Sequence, residues 1–499
     1  MARLGKRFRP REYPRPAPGE AFPILAPAMG MNTRDSVSAL QPLEARLIEN
    51  MYSDGGKLII RKGKAAHQTI AGADSCGTMW THEGVADDVL LAAAGGEIWD
   101  VTGAPSALTA ATYMLNNWCI EQFNDTTIAV NGTDTPWAFD GSTVVATGFS
   151  GAGLTIANLR TIKLVGSRLW FTEEGSADVW YGGLNAITGV LTKFQLSQET
   201  RGGYCVGIYP YRTYTVFIMS TGEVVTYSGD PATTFALADN SDSPRPVGYD
   251  PGLLVGNDLI IMTEISVIPY EAIAAGLAFE TSAFASWSKI SKSWEVDFNT
   301  YGALTQWTTL YAKGFAIFSI PTDTGTSKQW VYNTKSKGWA FYTNLNAFNF
   351  AELDGDLYFG DRGAGEVYTN TGGTDLGDPI IAELRGAFVY PYGNKVNGQY
   401  TLARLNLNSS GSVTAQLQVD VDYVTSGMTA PEVAISSSGS GPWDGPWDGP
   451  WGEDGVPVLL WHKIRGLGKA VAPAIKFHSS ADVLELFATD ILAAPAGVL

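Results

Sequence analysis

The chain has 499 residues, 45% of them hydrophobic, which is two to four times the length of a typical domain. With 56 glycines, 25 prolines and 11% aromatic residues, the composition favours a turn-rich, all-β protein. No run of about 18 apolar residues occurs, which excludes a membrane-spanning helix, and the net charge of −17 argues against a protein built to grip phosphates.

Residues 1–28 are predicted to form a basic, proline-rich, extended arm. Prolines interrupt it before any apolar signal-peptide core, so we expect no export by that route. The three cysteines are far apart, which is typical of reduced thiols in the cytoplasm. The first sixteen residues carry six basic residues against Glu12 alone, a net charge of +5, which leaves −22 for the remainder. We expect the basic residues to dock onto an acidic neighbour, with a solvated tail as the alternative; they are Arg3, Lys6, Arg7, Arg9, Arg11 and Arg15.

Residues 29–70 are predicted to form a helix-strand anchor. In residues 40–52, Leu43, Leu47, Ile48 and Met51 share one helical face, and Pro42 suits a first helical turn. We therefore predict one short N-terminal helix there. A strand over residues 57–61 should follow it.

Seven hairpin patterns occur between residues 89 and 373, each with an apolar run, a short turn that usually contains glycine, and an aromatic residue in a second run. The aromatic positions are Trp99, Phe139, Trp180, Tyr227, Tyr270, Tyr332 and Tyr368. A repeat of roughly 40 to 50 residues without helical periodicity is the length of one propeller blade. The pattern predicts a β-propeller over residues 71–375 with about seven blades, six or eight also being compatible.

Residues 376–499 change to the alternation of long antiparallel strands. Six such runs predict a C-terminal antiparallel β-sandwich-like domain. Within it, residues 441–455 repeat Gly-Pro-Trp-Asp, which excludes a helix and predicts a chain of turns. The repeat presents Trp443, Trp447 and Trp451, which we expect either to fold back on their own domain or to form a subunit interface.

Catalytic and metal-binding patterns are weak throughout the sequence. The four histidines lack zinc-ligand spacing, and the segment 239–242 lacks the glycine and distal glutamate of a calcium loop. Two carboxylate pairs, Glu173 with Glu174 and Asp354 with Asp356, lie in predicted turns, where acids are common for local reasons. We expect no enzyme activity, no cofactor and no metal.

Two segments resemble the tail nozzle proteins of short-tailed phages, also called packaged-DNA stabilisation proteins or tail tubular protein B. The segment from Gly30 to His67 is similar to their N-terminal block, with Gly30, Asn32, Arg34 and Asp35 followed later by Arg61, Lys62 and Gly63. The segment from Lys328 to Gly372 resembles their final propeller hairpins, and the Trp-Asp tandem is also similar. The long basic arm departs from that family's pattern.

The resemblance implies a structural protein of the virion tail, assembled in the host cytoplasm. It implies a homohexamer below the head–tail adaptor and portal, in contact with tail fibre, spike or needle proteins. The tube would form and close the DNA exit channel, which genomic duplex DNA passes without tight binding. On this interpretation the basic arm, the tryptophan repeat and Asn32, Arg34 and Asp35 belong to subunit or adaptor interfaces, with no DNA-binding residues.

Two other classes of protein stay open. A propeller glycosidase or lyase would turn over host-surface polysaccharide, and a receptor-recognition lectin would bind glycans without turnover. An enzyme would need paired carboxylates with a raised pKa in a pocket.

Overall fold

The structure, a computed structural model, describes residues 19–85, 87–276, 282–304, 306–435 and 460–498. Strands dominate it, which confirms the prediction of an all-β protein. Helical turns occupy residues 156–158, 196–198 and 288–290 as 3-10 segments, and three α-helices lie between residues 270 and 301. Among the described residues no helix is both long and apolar enough to cross a membrane.

The N-terminal region is built from five strands. They are β1 (Glu20–Leu25), β2 (Ala45–Glu49), β3 (Met51–Asp54), β4 (Lys57–Ile60) and β5 (Ala65–Thr69). The predicted strand over residues 57–61 is confirmed as β4, which pairs with β3 across the turn at Gly55 and Gly56.

The predicted helix over residues 40–52 is wrong, because β2 and β3 occupy this segment. Ile48 pairs with Leu384 of a C-terminal strand, and Asn50 interrupts the two strands with a left-handed φ of 55°. The Asn50 side-chain amide donates to the carbonyl oxygen of Ile381 and to the Thr343 hydroxyl. Ile48 and Met51 are fully buried, as they would be on the inner face of a helix. The backbone hydrogen bonds, however, are made to neighbouring strands and not within a helix.

Seven consecutive antiparallel sheets follow, and each contains one of the seven predicted strand pairs. The aromatic position of the fifth hairpin is wrong, because Tyr270 begins a helix directly after the second strand. Sheets 1 and 2 contain β6 (Cys76–His82), β7 (Val89–Ala94), β8 (Glu97–Asp100) and β9 (Ser106–Ala107), then β10 (Cys119–Phe123), β11 (Thr126–Val130), β12 (Trp137–Phe139) and β13 (Val144–Ala146). A short parallel pair, β14 (Phe149–Ser150) and β18 (Gly189–Val190), flanks sheet 3, which contains β15 (Leu159–Val165), β16 (Arg168–Glu173), β17 (Val179–Tyr181) and β19 (Thr192–Phe194).

Sheets 4 to 7 continue the same order. They contain β20 (Cys205–Tyr211), β21 (Tyr214–Met219), β22 (Glu223–Asp230) and β23 (Thr234–Asp242), then β24 (Gly252–Val255), β25 (Asp258–Met262) and β26 (Val267–Pro269), then β27 (Thr308–Ala312), β28 (Phe315–Pro321), β29 (Ser327–Asn333) and β30 (Gly338–Tyr342), then β31 (Ala347–Leu353), β32 (Asp356–Asp361) and β33 (Glu366–Thr369). The fourth strand of sheet 7 is β5, which pairs with β33 from the other end of the region.

Each sheet packs on the next through an apolar cluster, and sheet 7 packs on sheet 1; for sheets 5 and 6 this cluster is the large core that also contains the C-terminal strands. Between sheets 2 and 3, Ile128 and Val130 meet Leu159 and Phe171, all buried. Between sheets 7 and 1, Leu353 and Val367 share a cluster with Met79 and Leu90. The sheets therefore pack in a closed succession, called the ring of sheets below, and residues of β6, β10, β15, β27 and β31 line one common cavity.

A helical insertion replaces the fourth strand of sheet 5. It consists of α1 (Tyr270–Ala274), α2 (Ser282–Trp287) and α3 (Ser291–Tyr301). Trp294 is fully buried and donates its indole N–H to the carbonyl oxygen of Thr263 at 2.8 Å. Asp297 accepts hydrogen bonds from Lys328 and from the indole of Trp330 at 2.6 and 2.7 Å, which ties the insertion to sheet 6.

The C-terminal region contains strands at five of the six predicted runs, a strand over His462–Gly468 that overlaps only the end of the run predicted at 456–464, and two shorter strands; residues 456–459 lie outside the described residues. The strands are β34 (Thr374–Asp375), β35 (Asp378–Gly386), β36 (Val396–Ser409), β37 (Val413–Val421), β38 (Glu432–Ile435), β39 (His462–Gly468), β40 (Val471–Ser479) and β41 (Leu484–Val498). One sheet joins β36, β39 and β41 to the N-terminal strands β1, β3 and β4. The other joins β35, β40, β37 and β38 to β2, which pairs in parallel with β30, so these strands and sheet 6 form one ten-stranded sheet. Both C-terminal sheets share one core.

Candidate functional site

Three adjoining cavities lie at the centre of the ring. The central cavity, about 450 Å³, is lined by first strands of several sheets, with Trp80, Cys119, Lys163, Thr309 and Asn349 among its walls. A second cavity of about 450 Å³ shares Asn117, Gln306 and Phe348 with it, and a third of about 210 Å³ shares Arg160 and Tyr249. The two larger volumes are those of small-ligand pockets.

A polar cluster borders the central cavity and joins residues of three sheets, from β15, β20 and the segment that begins β24. Lys163 Nζ lies 2.7 Å from Asp250 Oδ2, and the Tyr209 hydroxyl donates to Asp250 Oδ1. That hydroxyl also accepts the backbone N–H of Gly252 at 2.7 Å. A Cβ at Gly252 would lie 2.5 Å from the Tyr209 ring, so the close approach of this strand requires glycine.

The protonation states of this cluster suit an ion pair. Burial alone would lower the pKa of Lys163, but the Asp250 carboxylate beside it raises that pKa overall. Burial also raises the pKa of Cys119, to about 12, and holds the pKa of Tyr209 well above its ordinary value. A lysine base or cysteine nucleophile needs a lowered pKa, so near pH 7 the cluster holds a charged lysine beside a neutral thiol and phenol.

The two carboxylate pairs considered for catalysis lie in different surroundings. Glu173 accepts the Trp180 indole N–H at 3.0 Å, and Glu174 forms an ion pair with Arg160 at 3.1 Å; both border the smallest cavity. Asp354 and Asp356 lie in the exposed turn between β31 and β32. The structure therefore brings neither pair into the central cavity.

The acidic segment 239–242 belongs to β23 at the outer edge of sheet 4. Asn240 donates to Glu223 at 2.8 Å, and Asp242 pairs with Arg201. No group of three or more histidine, cysteine, aspartate or glutamate side chains within the described part of the chain could hold a metal ion.

The predicted interface residues Asn32, Arg34 and Asp35 are engaged within the chain. Asn32 donates to Asp35 at 2.8 Å, and Arg34 donates to Asp35 at 3.1 Å and to the Ser288 hydroxyl at 2.8 Å. The hydrogen bond from Arg34 is the main reason that the pKa of Asp35 is lowered. This network holds the N-terminal segment against the helical insertion, and the Arg34 and Asp35 side chains stay 37% and 36% exposed.

The other residues of the quoted N-terminal block make close internal contacts. The guanidinium of Arg61 is buried and donates to both oxygens of Asp375, at 2.9 and 2.6 Å. A Cβ at Gly63 would lie 1.9 Å from the carbonyl oxygen of Thr374, and one at Gly30 would lie 2.5 Å from Gly338. These residues join the ring of sheets to the C-terminal strands.

Two predicted interface regions lie outside the described residues. They are the basic positions Arg3, Lys6, Arg7, Arg9, Arg11 and Arg15, and the repeat with Trp443, Trp447 and Trp451.

Sequence reasoning missed the central cluster, because Cys119, Lys163, Tyr209 and Asp250 are separated by 40 residues or more and follow no motif spacing. The only local signal was Pro251-Gly252 after Asp250, where a strand begins with a glycine. An alignment of the sequences that begin the seven sheets would have placed these four residues close to one another at the centre of the ring.

Comparisons with known proteins give no family. No protein-family model matches the chain, and no curated protein matches it. Among solved structures, the computationally designed Ika8 protein is similar with 9% identity and a TM-score of 0.36, over 68% of this chain and 98% of that one. A likeness at this level carries no argument about fold family or function.

Proposed function

We propose that the seven sheets are the blades of a seven-bladed β-propeller and that the two C-terminal sheets form a β-sandwich attached to it. The ring of inter-sheet clusters supports this, since each sheet packs face to face on its two neighbours. Completion of sheet 7 by β5 also supports it, because a ring closed by a strand from the opposite end has no open sheet edge at the closure.

We further propose that the chain is a structural subunit of a short-tailed phage tail, a hexameric nozzle below the head–tail adaptor. The observation that carries this proposal is that the two segments resembling that family lie side by side. Met31 donates its backbone N–H to Trp339, Asn50 donates to Phe341, and β5 pairs with β33. Two stretches about 300 residues apart in sequence thus form one structural unit, as expected if both belong to the same family pattern.

On this proposal the DNA passes between protomers rather than through a propeller. The central cavity holds about 450 Å³, which is the volume of a small-ligand pocket. Duplex DNA is too large to enter it, because its major groove alone is about 12 Å wide. A closed ring of six copies would place two complementary surfaces of each protomer in contact and leave a wider channel on its axis.

The test is the assembly state of the purified chain with and without its adaptor ring. Mass photometry should show a sixfold species, and particle images should show a sixfold ring with a central opening. A chain that stays monomeric at micromolar concentration with the adaptor present would contradict the proposal.

The basic arm offers a second, independent test of assembly. Removing residues 2–16 should weaken the sixfold species, and more so at about 50 mM than at 300 mM salt, because charge attraction is screened. A matched variant that keeps the arm but replaces its six basic residues by glutamine should behave like the deletion. Unchanged assembly in both variants would leave the arm as a solvated tail.

The conduit role also demands weak affinity for DNA. A net charge of −22 outside the first sixteen residues repels phosphates, and six copies in a ring would add their fields. We expect no submicromolar binding of duplex DNA in a gel-shift assay at low salt after the arm is removed. Tight binding by the arm-deleted chain would show a basic channel and contradict the conduit role.

One observation favours a second candidate, a glycan-binding or glycan-cleaving propeller. The central cavity has the size of a small-ligand site and carries Lys163, Asp250 and Trp80 in its walls. Incubation with host-surface polysaccharides would distinguish the classes: product release indicates a glycosidase or lyase, and affinity without product indicates a lectin. Loss of either signal in Lys163→Met would locate it at this cavity.

A further inference from the structure

Arg362 is a buried cation that forms an ion pair with no carboxylate of the described residues. It follows β32 directly, and its side chain borders the second cavity with the residue only 8% exposed. Its Nη2 donates to the Gln306 amide oxygen at 2.6 Å, and the guanidinium carbon lies 5.4 Å from the centre of the Phe348 ring. Among the described residues, neither Nε nor Nη1 has a hydrogen-bond partner.

The carboxylates around this arginine do not compensate its charge. Asp361 accepts the backbone N–H of Gly363 at 2.8 Å, and its pKa is raised by burial and lowered by Lys64. Asp323 lies in the cavity wall but is exposed and accepts the backbone N–H of Thr324 at 2.7 Å. Within the described chain, Arg362 forms no ion pair, and burial lowers its pKa to about 10.

A buried charge without a partner destabilises the folded state. The cavity beside it holds about 450 Å³ and has hydrogen-bond donors in its walls from Ser75, Asn116, Asn117 and Thr324. A guanidinium with free N–H groups beside amide and hydroxyl donors is the chemistry that recognises oxyanions.

We propose that this cavity binds a compact oxyanion of the phosphate class, held by Arg362 with the amide groups of Asn116 and Asn117. The anion is either free inorganic phosphate or the phosphate of a small ester, since duplex DNA cannot enter a cavity of this size. Because Nε and Nη1 are enclosed, full engagement involves a rotation of the guanidinium toward the cavity. Asp323 at the rim limits the affinity by repulsion.

The test is thermal unfolding of the full chain in inorganic phosphate, in a sugar phosphate, and in sodium chloride of equal ionic strength. Wild type should show a saturating rise in Tm with phosphate beyond the sodium chloride effect, as expected for a ligand of the folded state. Arg362→Met should lose that rise, and Asp323→Asn should reach half of it at a severalfold lower concentration. Arg212→Met removes an exposed arginine and should respond as wild type does.

The variants also separate the site from a general effect of salt. Without phosphate, Arg362→Met should be at least as stable as wild type, because it removes an unpaired buried charge. A response to the sugar phosphate as well would identify phosphate esters as ligands, and a response to inorganic phosphate alone would identify the free anion. An equal phosphate effect in wild type and Arg362→Met would overturn the proposal, as would a wild type that responds no more to phosphate than to chloride.

Discussion

Arg61, at the junction between the ring and the C-terminal strands, and Arg362, beside the second cavity, are both almost fully buried but differ in their partners. Arg61 donates to Asn50, to the carbonyl oxygens of Lys62 and Thr343, and to both oxygens of Asp375. Arg362 has one side-chain hydrogen bond, to Gln306, within the described residues. The difference shows that burial alone does not identify a structural arginine; the number of satisfied donors does.

The largest effect is expected when the junction loses its cation. Arg61→Met should lower the free energy of unfolding by about 3 to 5 kcal/mol, because it leaves the Asp375 carboxylate buried without a partner. Urea unfolding followed by tryptophan fluorescence would measure it. If Arg61→Met and Arg362→Met lower the free energy of unfolding equally, the two arginines do not differ in the way that their hydrogen bonds indicate.

The next largest loss of stability is expected at Gly63, whose backbone packs closely against Thr374 beside Arg61. Gly63→Ala would place a methyl group 1.9 Å from the carbonyl oxygen of Thr374, so the backbone must shift, at a cost of about 1 to 3 kcal/mol. Gly103→Ala is the matched control, because nothing lies within 4 Å of the added Cβ. Equal unfolding midpoints for the two variants would show that the junction is looser than its geometry indicates.

A smaller loss is expected in the central cavity. Lys163→Met removes the partner of Asp250, but the two side chains are 21% and 29% exposed, so solvent screens part of the loss. We expect a cost of about 1 kcal/mol, and less in Lys163→Met with Asp250→Asn, where no charge is left unpaired. Chemical denaturation of the single and double variants measures the coupling; additive losses would mean that the pair is not a unit.

The smallest effect is expected in the pH dependence of the free energy of unfolding, through His82 of sheet 1. His82 Nδ1 lies 2.9 Å from the Thr127 hydroxyl, and burial lowers the pKa of His82 against the opposing effect of Asp125, Asp88 and Asp140. The unfolded chain therefore binds this proton at a higher pH than the folded chain, so stability should fall as pH drops from 7 through the ordinary histidine range of about 6.5. His82→Gln should reduce the slope of unfolding free energy between pH 7 and 5 and leave it unchanged between pH 8 and 7. An identical slope in both proteins would assign the pH dependence to other groups.

Much of the fold could be predicted from the sequence because strand alternation and turn residues are local signals. The hairpin containing Trp99 and the C-terminal strand β37, with buried residues at alternate positions, followed directly from such patterns. The segment 40–52 could not, since Leu47, Ile48 and Met51 fit a helical face and a strand equally, and pairing with β35 decided the outcome. Helix α3 was missed because Trp294 and Asp297 fit no hairpin pattern and are held by contacts with distant residues.

The candidate sites were harder to predict than the fold. The junction residues Arg61 and Gly63 were selected by resemblance, and their contacts with Asp375 and Thr374 depend on residues more than 300 positions away. Arg362 carried no sequence signal, because an arginine after a strand is usually exposed. That its Nε and Nη1 lack partners among the described residues depends on the walls around it, which no local pattern encodes.

The pairing of β1 with β41, in which Glu20 faces Ala493, joins the first and the last described strands in one sheet. On a ribosome that adds about 5 to 20 residues per second, β1 emerges long before its partner strand exists. For tens of seconds the nascent chain must therefore carry an unpaired edge, and β5 likewise waits for β33 before the ring can close. Production of this protein should then depend on holdase chaperones that shield the waiting strands, and stalled or prematurely terminated chains should aggregate.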